Sequence, residues 1–167
     1  VIETQYEGNP ALLCTIVDVT GRRQAEETLR ASEERNRVVV ENANEVITVL
    51  QDGLIRFANR RFSTVTGYAA EEYLVRPFLD FIHPDDREMV LGYYRRRISG
   101  EEAPATYQFR FLNKAGDVGW AEANASLIDW EGRRATLVSM GIITERKRMG
   151  EQILKAQAEL EARVEQR

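Results

Sequence analysis

Two segments of this chain are similar to each other, at a distance that matches the size of a domain. Residues 6–29 read YEGNPALLCTIVDVTGRRQAEETL, and residues 130–153 read WEGRRATLVSMGIITERKRMGEQI. They align without a gap at an offset of 124 residues (130 minus 6), and seven positions, including Thr20 and Thr144, are identical. The offset exceeds the repeat of about 20–50 residues found in solenoids and suits a domain with its linker. The repeat therefore predicts one complete domain preceded by the end of a similar one, within a larger modular protein.

Composition and charge limit the class of protein. The chain has 167 residues, of which 43% are hydrophobic and 30% charged, as in an ordinary soluble domain with extensions. No apolar run reaches the ~20 residues of a membrane span, and a net charge of −4 argues against nucleic-acid binding. Cys14 is the only cysteine, so no intrachain disulfide forms, which fits a reducing compartment. We therefore expect a cytoplasmic protein whose residues here contact neither membrane nor nucleic acid.

The repeat and the hydrophobic pattern divide the chain into four parts. Residues 1–20 are predicted to be the last strand and hairpin of an upstream domain, and residues 21–42 a charged linker helix. The complete domain is expected at 43–144, followed at 145–167 by an output helix of the coiled-coil type. The apolar strand Leu12–Val19 lacks the rest of its sheet. We expect this strand to be disordered or paired with another chain, and not to join the sheet of the complete domain.

Five strands and a group of helices are predicted within the complete domain. An Asp-Gly turn at 52–53 favours a hairpin, and the helix that starts at Pro84 has acidic residues at its beginning and basic residues at its end, as its dipole favours. This order predicts an α+β fold, a five-stranded antiparallel sheet with helices on one face, flanked by terminal helices. The predicted elements are the strands Val46–Leu50, Leu54–Ala58, Thr106–Leu112, Val118–Ile128 and Ala135–Ile143, and the helix Pro84–Ser99.

The C-terminal helix carries a narrow apolar stripe. Its residues follow one another at spacings of four, three and four, which is the pattern of a coiled-coil seam. An isolated helix of this length is marginal in water, and the stripe has no evident partner within the domain. We therefore predict a homodimer that forms through the terminal helices. The seam consists of Met149, Ile153, Ala156 and Leu160.

Five short segments of the chain, taken in order, carry recognisable motifs. They read DGLIRFAN at 52–59, NRRF at 59–62 with VTGY at 65–68, IHPDD at 82–86, KAGDVGW at 114–120 and TERK at 144–147. In this order and at this spacing, over about residues 33–147, they resemble the PAS domain family. The segment DVTGR at 18–22 is similar to the last of these motifs. The resemblance therefore implies that the upstream domain is a second PAS domain, which explains the repeat.

The resemblance implies a sensory or relay module in a multidomain bacterial signalling protein. Upstream would lie another PAS domain, and downstream an output domain such as a GGDEF-type cyclase or a histidine kinase. The implied exit of the signal is the strand-to-helix junction at Ile142, Thr144, Glu145 and Arg146. The family motif at this point is Asp-x-Thr; the first copy keeps Asp18, whereas the second has Ile142. Two alternatives stay open, a dimerisation module with no ligand and a cofactor-dependent redox or light sensor.

No cofactor, metal or catalytic site is expected in this chain. Flavin-binding relatives need a Cys at the position of Leu79 and present Asn or Gln at those of Phe111, Ala121 and Met140, so the resemblance argues against flavin. Haem-binding relatives supply a His from the long helix, which has none here. His83 is the only histidine and has no second ligand or nucleophile beside it, so we expect it to bond locally where that helix starts. No motif for nucleophilic or phosphate chemistry occurs, and we expect no enzymatic activity in this fragment.

Large and small side chains are expected to meet in the core. Alternation along two of the predicted strands places aromatic residues on one face of the first and alanines on one face of the second. In the family orientation, both of these faces point to the helices. Two interpretations stay open, a filled core in which large and small side chains interdigitate, and a small apolar pocket near the alanines. The residues that would line such a pocket are Tyr107, Phe109, Phe111, Ala121, Ala123, Ala125, Val138 and Met140.

Overall fold

The chain divides into two units, residues 1–38 and residues 39–167, in the computed structural model. The structure describes residues 2–7, 9–13, 18 and 20–165. The first unit holds a two-stranded hairpin and most of helix α1 (Thr20–Glu41). The second unit holds a five-stranded sheet, the helices that pack against it and a C-terminal helix.

The N-terminal hairpin consists of strands β1 (Ile2–Tyr6) and β2 (Asn9–Leu13), which pair antiparallel. The strand predicted at Leu12–Val19 thus begins earlier in the structure, and residues 14–17 and 19 lie outside the described residues. The backbone of β2 is paired with β1 of the same chain, a local partner that was not predicted. The expectation of disorder or of pairing with another chain is therefore wrong for Leu12 and Leu13, the part of the predicted strand that lies in β2. Neither strand belongs to the five-stranded sheet, as expected.

The second unit has the predicted α+β architecture. Its sheet is antiparallel with the strand order β4-β3-β7-β6-β5, and its helical segments supply one layer of the core, so the predicted fold class is confirmed. The strands are β3 (Val46–Gln51), β4 (Leu54–Ala58), β5 (Thr106–Leu112), β6 (Val118–Trp130) and β7 (Arg133–Ile142). The helices are α2 (Arg60–Thr66), α3 (Ala70–Tyr73), a 3₁₀ turn at Phe78–Phe81, α4 (Pro84–Ser99) and α5 (Thr144–Glu165).

Two tight turns explain why some strands are longer than predicted. Glu131 and Gly132 both have positive φ, 53° and 76°, which is the conformation of a two-residue turn whose twist matches the flanking strands. Pairing between β6 and β7 therefore continues to Trp130 and Arg133, beyond the predicted ends. The Asp52-Gly53 turn has the same geometry, with φ of 55° and 75°.

Asn59 fixes the point at which β4 ends and α2 begins. Its side chain is 1% exposed, and its Oδ1 accepts a hydrogen bond from the amide of Ile47 at 3.0 Å. Its Nδ2 donates to the carbonyl oxygens of Val40 and Glu45, both at 3.0 Å. A buried amide with both ends bonded stabilises this connection, which gives a physical role to the Asn of the NRRF motif.

The core lies between one face of the sheet and the helical segments. Ala121, Ala123 and Ala125 of β6 are buried, whereas Asn124 between two of them is exposed, as strand alternation requires. Phe62 of α2 packs edge-on against Phe81 of the 3₁₀ turn, with ring centroids 5.4 Å apart. No helix within the described residues is long and apolar enough to cross a membrane.

Candidate functional site

A cavity of about 70 Å³ lies in the core of the second unit, between the sheet and the helical segments. Strand β3 contributes to its wall, as do α2, the 3₁₀ turn, α4 and the three late strands. Its wall is apolar apart from two threonines and one tyrosine. The wall residues are Val46, Thr48, Leu50, Ile55, Phe62, Val65, Thr66, Phe78, Phe81, Ile82, Val90, Tyr107, Phe109, Phe111, Ala121, Val138, Met140 and Ile142.

The structure brings together six of the eight residues named for a pocket. Tyr107, Phe109, Phe111, Ala121, Val138 and Met140 all line the cavity. Ala123 and Ala125 do not; they are 0% and 3% exposed and belong to the packed core. The core therefore contains both predicted arrangements in neighbouring regions. A pocket lies beside Ala121, and the closely packed core lies beside Ala123.

The part of the wall that comes from β3 and the helical segments was not predicted from the sequence. Val46, Thr48 and Leu50 alternate along β3 and all line the cavity. This alternation was readable from the sequence. The contribution of Phe78 and Phe81 was not, because no local pattern shows which side of a short helical turn faces the sheet.

The three polar side chains of the wall differ in their hydrogen bonding. Thr66 Oγ1 donates to the carbonyl oxygen of Phe62 at 2.8 Å. The Tyr107 hydroxyl interacts with Arg97; burial raises the pKa of this phenol, and Arg97 opposes that effect. Thr48 is 1% exposed, and its Oγ1 has no hydrogen-bond partner among the described residues. The wall therefore carries one buried hydroxyl, that of Thr48, with no hydrogen bond to any part of the chain that the structure describes.

The cavity wall continues directly into the C-terminal helix. Ile142 is the last residue of β7 and lines the cavity, and Thr144 is the first residue of α5. The amide of Trp120 in β6 donates a hydrogen bond to Thr144 Oγ1 at 2.9 Å. The amide of Ile143 donates to the Trp120 carbonyl oxygen, also at 2.9 Å. Thr144 and Ile143 thus tie the start of the helix to the neighbouring strand.

The charged residues after Thr144 make different contacts. Arg146 Nη2 lies 3.5 Å from Glu122 Oε2 on β6, and a hydrogen bond from Gln108, aided by Arg146, lowers the pKa of the Glu122 carboxyl. Lys147 places its Nζ 4.6 Å from the centroid of the Trp120 ring. Glu145 forms an ion pair within the helix, with Arg148 at 3.2 Å. Of the predicted exit residues, Arg146 therefore contacts the sheet through its side chain, whereas Glu145 bonds along α5.

The two copies of the repeat differ at the position of the family's Asp. In the first copy, Asp18 Oδ1 accepts a hydrogen bond of 2.9 Å from the amide of Thr20, the first residue of α1. In the second copy, Ile142 occupies this position and lines the cavity. A carboxylate is thus replaced by an apolar side chain that faces the candidate site.

The start of α4 is tied to β5 by an ion pair. Asp86 accepts two side-chain bonds from Arg110, Nη2 to Oδ1 at 2.7 Å and Nε to Oδ2 at 3.0 Å, and a third from the Arg110 amide at 2.7 Å. His83 precedes the helix, and its Nδ1 accepts a hydrogen bond from the amide of Asp85 at 3.3 Å. This is the local bond expected for His83. Within the described residues, no cluster of three or more His, Cys, Asp or Glu side chains is placed to hold a metal ion.

The seam residues lie along the surface of α5. Met149 and Ile153 are each 60% exposed, Leu160 is 65% exposed, and Ala156 is also exposed. Large apolar side chains at such exposure leave a stripe of the helix without a covering surface in the described chain.

Comparison with known proteins identifies the family. A family model described as the PAS fold matches residues 55–140, which is more than half of the chain. The crystal structure of the PAS domain of an HTR-like protein from Haloarcula marismortui superposes with a TM-score of 0.59 at 25% identity, over 73% of this chain and 100% of that one. The chain therefore belongs to the PAS domain family, as its motifs predicted.

Two longer proteins are similar over most of this chain. An uncharacterised protein of Sinorhizobium fredii, y4lL, is 27% identical over 149 residues, which is 87% of this chain and 18% of that protein. Sporulation kinase A of Bacillus subtilis is 25% identical over 159 residues, which is 92% of this chain and 26% of the kinase. The chain thus spans only a minor part of the length of both relatives.

Proposed function

We propose that this chain is a sensory or relay module of a bacterial-type signalling protein, in which occupation of the cavity changes β7 and thereby α5. The observation that carries this proposal is the continuity of the cavity wall with the exit helix. Ile142 lines the cavity, and Thr144, two residues later, begins α5 and is bonded to Trp120. A displacement of the last strand therefore acts on the helix with no flexible linker between them. The module acts by binding and conformational change, and not by catalysis.

The partners that we propose follow from the seam and the repeat. Two copies of the chain would pair through Met149, Ile153, Ala156 and Leu160, because pairing buries an apolar stripe that is exposed in one copy. The repeat supports an upstream PAS domain in the parent protein. The similarity to a protein named sporulation kinase A favours a kinase, such as a histidine kinase, over a GGDEF-type cyclase as the output domain.

We also propose that the cavity works without flavin or haem. Among the described residues, its wall contains no Cys, His, Asn or Gln, and the positions named for flavin contacts, Phe111, Ala121 and Met140, are apolar wall residues. The cavity, at about 70 Å³, is smaller than the cavity of about 150 Å³ that holds benzene, and flavin and haem are both far larger than benzene. An absorbance spectrum of the purified protein tests this point, since a visible band that survives dialysis would contradict it.

The second candidate is a dimerisation module that takes no ligand. The exposed seam favours it, because pairing of α5 needs nothing from the cavity. The two candidates differ in whether the state of the cavity reaches α5. In the sensory module, filling the cavity alters α5; in the dimerisation module, it does not.

Hydrogen exchange in a cavity-filling variant separates these candidates. Ala121→Val adds two methyl groups to the wall on β6, and Asn124→Val adds a β-branched side chain to an exposed position of the same strand as a control. We expect Ala121→Val, and not Asn124→Val, to change the hydrogen-exchange rates of amides 144–150. The exchange rate of an amide depends on how easily its segment opens locally, so a change there would show that the start of α5 is coupled to the cavity. If Ala121→Val changes exchange in the sheet and leaves 144–150 unchanged, the relay proposal is contradicted and the dimerisation module is favoured.

A further inference from the structure

The Thr48 hydroxyl is placed to bond to a molecule in the cavity. Strand β3 lies between β4 and β7 in the sheet. Thr48 pairs with Ala58 on one side and with Val138 on the other, so its backbone lies within the sheet on both sides. The Thr48 side chain forms part of the wall, is 1% exposed and has an Oγ1 without a partner among the described residues. A hydroxyl buried without a hydrogen bond is unfavourable, and a polar group in the cavity would satisfy it.

Among the described residues of the wall, Thr48 is the one whose side-chain oxygen is buried without a hydrogen-bond partner. Thr66 Oγ1 donates to Phe62 O at 2.8 Å and accepts from the amide of Tyr68 at 3.4 Å. The Tyr107 hydroxyl interacts with Arg97. The remaining wall residues that the structure describes are apolar, and none of them carries a charge. A charged molecule would therefore lose its hydration without gaining a counter-ion.

The size of the cavity limits the ligand further. An engineered apolar cavity of about 150 Å³ binds benzene, and the present cavity, at about 70 Å³, has roughly half that volume. The space therefore suits a molecule with fewer non-hydrogen atoms than benzene, about three to five.

We propose that the cavity takes a small neutral molecule that is apolar except for one hydroxyl or carbonyl group, and that this group bonds to Thr48 Oγ1. Either group fits, because a threonine hydroxyl both donates and accepts hydrogen bonds. The proposal rests on the proposed function, since it specifies the molecule that the sensory cavity binds. It makes Thr48 the residue that orients the ligand and selects it against a purely apolar one.

Thr136 provides a matched control within the same sheet. It lies on β7 opposite Leu50, diagonal to the pair of Thr48 and Val138, and is also 1% exposed. Its Oγ1 likewise has no partner among the described residues, but Thr136 does not line the cavity. A threonine-to-valine change at either position removes a buried hydroxyl, and only the change at Thr48 removes one from the wall.

The test compares three probes that differ in one group: butan-1-ol, pentane and the butylammonium ion. Binding to the wild type, Thr48→Val and Thr136→Val is measured from NMR shifts of the Ala121 and Met140 methyl groups. We expect butan-1-ol to bind Thr48→Val about 2- to 10-fold more weakly than the wild type, the range for one neutral hydrogen bond. Pentane should bind Thr48→Val at least as tightly as the wild type, Thr136→Val should behave as the wild type, and butylammonium should not bind.

Each contrary outcome has its own meaning. Equal affinity of butan-1-ol for the wild type and Thr48→Val overturns the role of Thr48 and leaves a ligand-binding cavity standing. Failure of both neutral probes to bind the wild type overturns the sensory cavity as well. An equal loss in Thr48→Val and Thr136→Val would point to a shared buried water and overturn the direct contact. If Thr48→Val does not fold, Thr48→Ser must retain the preference for butan-1-ol over pentane, and loss of that preference overturns the proposal.

Discussion

The backbone amide of Trp120 donates its hydrogen bond to the side chain of Thr144, at 2.9 Å, and not to a strand carbonyl. β6 is therefore joined to the first residue of α5 through one hydroxyl oxygen. The carbonyl of Trp120 accepts from the amide of Ile143, so both backbone groups of this tryptophan are used at the junction. Thr144, one of the positions that are identical in the two repeat copies, thus connects the sheet to the start of α5.

Loss of the Thr144 hydroxyl should weaken this junction. Thr144→Val keeps the shape of the side chain but leaves the partly buried amide of Trp120 without its acceptor, which costs about 1–3 kcal/mol. Thr144→Ser keeps the acceptor and is the control. Urea denaturation gives the loss of stability, and hydrogen exchange of the Trp120 amide should accelerate in Thr144→Val only. Equal exchange in both variants would show that this bond is not what protects the amide.

Two alanines of β6 should respond in opposite ways to the same substitution. Ala121→Val places two methyl groups in the cavity and should stabilise the domain, by about 0.5–2 kcal/mol for a filled cavity. Ala123 is fully buried and off the cavity wall, so Ala123→Val should overpack the core and destabilise it by about 1–3 kcal/mol. Denaturant midpoints compare the two directly. Similar losses in both would mean that the cavity beside Ala121 does not accept side-chain atoms.

The position of Gly119 has no room for a side chain, because the aromatic ring of Phe111 lies over it. A Cβ at Gly119 would overlap the ring of Phe111, its partner on β5 and a wall residue of the cavity. We expect Gly119→Ala to displace this ring and to destabilise the domain by about 1–3 kcal/mol. Gly141→Ala on β7 is the control, because its Cβ would meet nothing within 4 Å.

A double mutant tests the proposed cause of the Gly119 effect. Phe111→Leu removes the far end of the ring, so Gly119→Ala should cost less in that background than in the wild type. Thermal unfolding of the single and double variants gives the coupling energy. An additive result would place the cause elsewhere than in the contact between Gly119 and Phe111.

The Asp86–Arg110 pair should make stability depend on acid pH. The Arg110 hydrogen bond holds the pKa of the Asp86 carboxyl below its usual range, although burial opposes this. In the unfolded chain the carboxyl titrates near its ordinary value of about 3.9. Because the folded pKa is the lower one, the stabilisation is fully present above the unfolded pKa and is lost as pH falls through the folded pKa.

Asp86→Asn isolates the contribution of this carboxylate. At pH 7 the variant should be less stable by roughly 1.5–3 kcal/mol, the range for hydrogen bonds to charged groups. Between pH 6 and pH 3 the melting temperature should fall less in the variant than in the wild type. Other carboxyl groups with lowered pKa values are present in both proteins, so their contribution to the pH dependence of stability is the same in each. They are Asp52, Glu72 and Glu122. Parallel curves would show that Asp86 does not carry the acid sensitivity.

The seam predicts the effect of a charge on α5. Ile153→Asp would bury a charge between paired helices and should give a monomer, with the sheet intact by circular dichroism. Ala158→Asp, on the same helix but outside the seam spacing, introduces the same charge at an exposed position and should leave the mass unchanged. Light scattering measures the mass of each variant. A dimer that persists in Ile153→Asp would mean that the chains do not pair through this seam.

The sequence by itself determined the elements and their family. Strand periodicity, the Asp52-Gly53 turn and the start of α4 at Pro84 are local features, because they depend on residues a few positions apart. The strands on either side of the Glu131-Gly132 turn were predicted to end at Ile128 and to begin at Ala135, whereas their pairing continues to Trp130 and Arg133. A pattern of apolar residues does not show where strand pairing ends. The pairing of β1 with β2 was not predicted for the same reason, because the apolar pattern alone does not show which strands pair.

Only the tertiary structure decided where the candidate site lies. Ala121 and Ala123 are equivalent in sequence pattern, yet one lines the cavity and the other is closely packed, because the free volume depends on side chains from several distant elements. Thr48 reads as an ordinary strand residue, and its unused hydroxyl appears only when every neighbour is in place. Asp86 and Arg110 lie 24 residues apart and meet because α4 starts beside β5. Periodicity assigns a residue to a face of the sheet, whereas three-dimensional packing decides what that face contacts.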